Sequence, residues 1–85
     1  MGETIEEALR RFLVGELGLP PEVAVDSPLA ESGLLVSAQL LEVVVFVEDT
    51  YGVVMRPVDA VPEKMRSIAT IAGVVRERLR ERGAA

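Results

Sequence analysis

Apolar residues return every three or four positions along most of this chain, and nowhere alternate with polar ones for long enough to make a sheet. Thr4-Ile5-Glu6-Glu7 has the spacing of a capping box, and Ile5, Ala8, Leu9, Phe12 and Leu13 follow at helical period. This predicts a first helix over residues 4–16, stopped by Gly18, Pro20 and Pro21. A long connection then occupies residues 18–36, in which Leu19, Val23, Val25, Leu29 and Leu34 can pin the chain to a core. Within it Ser27-Pro28 reads as an N-cap followed by proline, opening a turn through Glu31 that Gly33 ends.

A second helix is expected over residues 37–51, with Gly52 as its stop, although Val43–Val47 is β-prone by composition. Residues 53–61 read as irregular, with Pro57 as a breaker, and residues 62–66 as one short helical turn. Ser67 then caps a last helix over 67–82, with Ile68, Ile71, Ala72, Val75 and Leu79 along one face. The pattern describes one all-α domain over residues 1–85: a bundle of three main helices and one short one, with a long loop between the first two.

The second helix has more apolar surface than one core face needs. At about 100° per residue, Leu40, Val43, Val44, Val47 and Tyr51 share the core face. Ser37, Leu41 and Glu48 fall on a neighbouring arc, with Ala38 and Val45 beside it and Glu42 and Asp49 beyond. Two readings are open. The strip Ala38–Leu41–Val45, rimmed by acids, is a protein docking face, or the long loop covers it and the acids are only solvated. A serine opening a helix is most often its N-cap; the other reading of Ser37 is a point of attachment.

Composition narrows the chemistry. The 85 residues include no cysteine, no histidine and no tryptophan, so thiolate metal sites, disulfides and the usual acid–base catalyst are missing. No metal site and no independent enzyme is expected, and Ser37 has no evident base to make it a nucleophile. The longest apolar stretch is too short for a membrane span, and the acidic N-terminus is unlike a signal peptide, which predicts a cytoplasmic protein. The net charge of -5 is unevenly placed. Between Phe12 and Met55 stand seven acids (Glu16, Glu22, Asp26, Glu31, Glu42, Glu48 and Asp49) and no base. Such a belt repels nucleic acid and steers basic protein partners.

Four stretches in order, SPLAESGLLVS, LLEVVVFVEDTYGV, PVDAVPEKM and RSIATIAGVV, make the chain resemble the acyl carrier and peptidyl carrier protein family over nearly its whole length. The resemblance implies an acyl-carrier-like bundle. It also implies that Ser37 receives 4'-phosphopantetheine from coenzyme A, by way of a phosphopantetheinyl transferase. The terminal thiol of that covalent arm would carry an acyl or aminoacyl group as a thioester, which accounts for the missing cysteine and histidine. Glu42, Glu48 and Asp49 match acids that family members present to basic partner enzymes. Val45 matches an exposed apolar docking position, and Ala38 the residue after the modified serine. Implied partners are an acyl- or aminoacyl-loading enzyme and downstream synthase or tailoring enzymes, met by a monomeric carrier. The run GLL and the segment EVVVFVEDTYGV resemble freestanding carriers of polyketide and other specialised-metabolite biosynthesis.

One position departs from the family. Family members carry aspartate immediately before the modified serine, and this chain has Val36. That aspartate helps seat the carrier on its transferase, so Val36 implies slowed modification, a specialised transferase, or none. The alternative function is a degenerate, unmodified carrier-fold module that works only by protein–protein interaction.

Overall fold

The computed structural model describes residues 2–29 and 37–84, with Ser37 and Ala84 described by their backbone alone. Three α-helices make up most of it: α1 (Ile5–Gly15), α2 (Ser37–Tyr51) and α3 (Ile68–Ala84), with a 3-10 turn at Pro57–Asp59 between the last two. Among the described residues there is no strand, and the architecture is the all-helical bundle that the periodicity predicts.

Local chemistry sets the helix ends. The Thr4 hydroxyl accepts the Glu7 N–H at 3.1 Å and the Glu7 carboxylate accepts the Thr4 N–H at 2.8 Å, a complete capping box. Beyond α1, Gly18 takes φ +75° and lets the Leu19 N–H reach back to the Leu13 carbonyl at 3.0 Å. At α3 the Ser67 hydroxyl accepts the Thr70 N–H at 3.2 Å, while Thr70 Oγ1 accepts the Ser67 N–H at 2.9 Å. Ser67 is therefore the cap its position suggested.

The valine-rich middle of α2 is helical because burial outweighs propensity. Val43 and Val47 are wholly buried, and burying each is worth about 1.5–3 kcal/mol. A β-branched residue costs a helix at most about 0.7 kcal/mol. The core they join contains Leu9 and Leu13 of α1, Leu29 of the long loop, and Ile68, Ile71 and Val75 of α3. Phe12 and Phe46, the chain's two phenylalanines, stack across α1 and α2 with centroids 4.3 Å apart and planes 17° from parallel.

Two expectations change. Residues 62–66 form turns rather than a short helix; the helical turn lies earlier, at Pro57–Asp59. Proline suits the first position of such a turn because its missing N–H has no partner there anyway, and Asp59 Oδ2 accepts the Arg56 N–H at 2.9 Å. Val25 does not pin the long loop through its side chain, which is 39% exposed; its carbonyl does so, accepting the Ala69 N–H at 2.8 Å. The Ser27 hydroxyl accepts the Ala24 N–H behind it at 3.0 Å, closing a local turn. Leu19, Val23 and Leu29 are buried as expected. The rest of the expected turn, with Glu31, Gly33, Leu34 and Val36, lies outside the described residues.

Candidate functional site

The site builds upward from α2. Ser37 is its first residue and so stands at the helix N-terminus, where backbone N–H groups lack intrahelical partners. One turn on, Leu41 is 68% exposed and Val45 55%, with Ala38 exposed as well. These three side chains are therefore exposed, as a docking face requires. Leu40, Val43, Val44, Val47 and Tyr51 are buried or half-buried on the neighbouring arc.

Leu41 stands on a ridge between two shallow apolar grooves. On one side Phe12, Val45 and Phe46 line a groove of about 420 Å³ with Glu42 and Asp49 at its edge. On the other, Leu40, Val44, Ala60 and Met65 line a second of about 360 Å³. Phe46, Ala60 and Met65 were not among the sequence-predicted site residues. Phe46 could have been found from the helical wheel, because it follows Val45 and lies one turn beyond Glu42. Ala60 and Met65 could not, because they arrive from the connection between α2 and α3.

The acids divide. Glu42 and Asp49 are exposed, and no base among the described residues lies in ion-pair range of either. Glu48 is half-buried and its Oε2 accepts the Met55 N–H at 2.9 Å, so it helps hold the chain that leaves α2. The bases are largely engaged elsewhere. Arg11 pairs with Glu3 at 2.8 Å and Arg76 with Glu6 at 2.6 Å, and these hydrogen bonds draw both carboxyls below the ordinary carboxylate range. Arg82 Nη1 donates to the carbonyls of Tyr51 at 2.9 Å and Gly52 at 2.7 Å, closing the C-terminus of α2.

Groups of histidine, cysteine or acid residues able to hold a metal ion are absent among the described residues. No described helix is long and apolar enough to cross a membrane. Compared with models of known protein families, with curated proteins and with solved structures, the chain matches none.

Proposed function

We propose that this protein is a carrier. Ser37 bears a 4'-phosphopantetheine arm, an acyl or aminoacyl group rides on the arm as a thioester, and α2 is the surface offered to the enzymes that load and use it. The observation that carries the reading is the arrangement on α2. A serine opens the helix, and an exposed Ala38–Leu41–Val45 strip flanked by unpaired Glu42 and Asp49 runs down from it. The four ordered stretches of carrier-like sequence support it as well.

The residues present fit the arm. A phosphodiester on the residue that opens α2 would lie at the positive end of the helix dipole, and the first turn of α2 contains no acid to repel it. The arm supplies the thiol that the chain lacks. Attachment makes a phosphodiester to the serine oxygen and breaks the pyrophosphate of coenzyme A, releasing adenosine 3',5'-bisphosphate; with no histidine in the chain, the proton leaves to the transferase. The protein itself is no enzyme. It works as a cytoplasmic monomer whose encounters are brief and steered by charge, because exposed acids raise association rates more than affinity. Glu42 and Asp49 supply that steering, Leu41 and Val45 the apolar contact, and Glu48 a smaller share.

Incubation with coenzyme A and a broad-specificity phosphopantetheinyl transferase tests this by intact mass. The wild type gains one arm and Ser37→Ala gains none; an increment surviving Ser37→Ala refutes the site. Val36→Asp, which restores the family's charge, gains the arm faster. A wild type left unmodified by every transferase hands the function to the second reading, the unmodified interaction module that Val36 favours.

A further inference from the structure

Between Val53 and Met65 the chain crosses from α2 to α3 as a strap with an unusual attachment. Val53 and Met65, 5% and 3% exposed, anchor its ends in the core. Of residues 54–64, only Asp59 is buried, and it is buried completely. Val54 and Val58, which a strap could use as apolar anchors, are instead 73% and 58% exposed. A carboxylate thus occupies the place where a leucine or valine would hold the middle of the strap to the core.

The carboxylate is held by charge at a distance. Its oxygens lie 3.6 Å from Arg56 Nε, 3.8 Å from Lys64 Nζ and 3.9 Å from Arg78 Nη1. Arg56 and Lys64 belong to the strap itself, so Arg78, 6% exposed on α3, supplies the crosslink to the bundle. No hydrogen bond completes it: Asp59 Oδ1 and Arg78 Nη1 are buried without hydrogen-bond partners. At the strap's start the Met55 N–H bonds Glu48 Oε2 of α2 at 2.9 Å; its other backbone bonds are local, Asp59 N–H to Arg56, Ala60 N–H to Pro57, and Lys64 and Met65 N–H to Val61. Arg78 does not depend on the strap for neutralisation, since its Nη2 bonds Glu77 at 2.5 Å and Glu81 at 3.0 Å. When the strap lifts, Asp59 returns to water, where a carboxylate is well solvated, and α3 keeps its own ion pairs. Buried charges with imperfect geometry stabilise weakly, because lost solvation offsets most of the attraction.

We propose that residues 54–64 are a latched strap that opens as a unit while the helices stay folded, with Asp59–Arg78 as the latch. Ala60 and Met65 form one wall of the groove whose other wall is Leu40, Leu41 and Val44 of α2. Opening therefore widens that groove beside the exposed ridge of α2. The device is independent of whether Ser37 bears an arm.

Native-state hydrogen exchange on the 85-residue chain tests it. The Asp59, Ala60, Lys64 and Met65 amides should exchange through a shared opening at least about tenfold more often than the buried amides of α1 and α3, as a subglobal unit does. Asp59→Asn keeps an oxygen for the Arg56 N–H but removes the charge. It should speed exchange of these four amides, whose acceptors all lie in the strap, about tenfold further, with α1 and α3 unchanged. Strap amides that exchange only with global unfolding in the wild type overturn the proposal, and that measurement stands alone if Asp59→Asn does not fold. A variant whose exchange rises equally in α1 and α3 also overturns it, by showing that Asp59 supports the whole core.

Discussion

Gly52 ends α2 with φ +66°, and a Cβ built there lies 2.7 Å from Arg82 Nη1. Substituting alanine therefore disturbs two things that can be separated. The first is backbone: a non-glycine residue held in the left-handed region costs about 1–2 kcal/mol. The second is the cap. Arg82 Nη1 is the end of a flexible, exposed side chain, so it moves aside with little strain, but moving abandons the carbonyls of Tyr51 and Gly52. Two hydrogen bonds from a charged donor, at a position open to water that replaces them, are worth about 1 kcal/mol together. Gly52→Ala should then destabilise by about 2–3 kcal/mol, adding the two costs.

Gly18 supplies the control. Its φ is +75° and nothing lies within 4 Å of a Cβ built there, so Gly18→Ala isolates the backbone cost of about 1–2 kcal/mol. Urea unfolding of Gly18→Ala, Gly52→Ala, Arg82→Ala and the Gly52/Arg82 double variant, at unchanged m-value, closes the comparison. Once Arg82 is gone, Gly52→Ala should cost no more than Gly18→Ala. Additivity of the Gly52 and Arg82 substitutions within about 0.5 kcal/mol would refute the reasoning, because independent sites add to that accuracy.

The acids of α2 should separate in the same assay. Glu48→Ala loses the acceptor of the Met55 N–H and should cost about 1 kcal/mol, whereas Glu42→Ala and Asp49→Ala, exposed and unpaired, should stay within about 0.5 kcal/mol of wild type. Lysine at Glu42 or Asp49 should slow loading by partner enzymes, measured as a rate that falls with added salt, without shifting the melting temperature. Acid should weaken the α1–α3 contact in a way that Glu6 reports. Hydrogen bonding from Arg76 lowers the Glu6 carboxyl below its ordinary 4.5, so its contribution is complete above that pH and lost as pH falls through the lowered value. Glu6→Gln should cost up to about 1 kcal/mol at neutral pH, with the difference from wild type vanishing in acid.

How much of this was legible in the sequence depends on the range of the interactions involved. The caps were readable because each is a contact across three residues: Thr4 with Glu7, and Ser67 with Thr70. The length of α2 was readable from its terminal glycine and its period. The exposure of Leu41 and Val45 was not, since the helical wheel placed them beside the core face and only the course of the long loop could decide whether they were covered. The misplaced short helix has a similar origin. Residues 62–66 carry good helix formers, but Asp59 closes its turn on Arg56 and faces Arg78, nineteen positions away and invisible to any local window. Glu48 was grouped with Glu42 and Asp49 because all three match acids of the carrier family. Its bond to Met55 depends on how the chain turns at Gly52.

The charge pattern gains its meaning only when sequence and structure are taken together. The sequence has no base between Phe12 and Met55, yet a folded chain could still have brought arginines from its ends over the acids of α2. It does the reverse. Arg11 and Arg76 turn to Glu3 and Glu6 around α1, Arg56, Lys64 and Arg78 gather about Asp59, and Arg82 binds the carbonyl end of α2 rather than its acids. These contacts stabilise the bundle, and they also leave the field of Glu42 and Asp49 uncompensated over the exposed Leu41 and Val45. A field of that kind acts across a Debye length, about 8 Å at physiological salt, whereas the apolar strip acts only on contact. An approaching basic surface is therefore oriented by the acids before it meets the leucine and valine. That order of events gives the salt-sensitive loading rate expected above. It also explains why a protein with nine bases presents its most exposed apolar helix face as an acidic one.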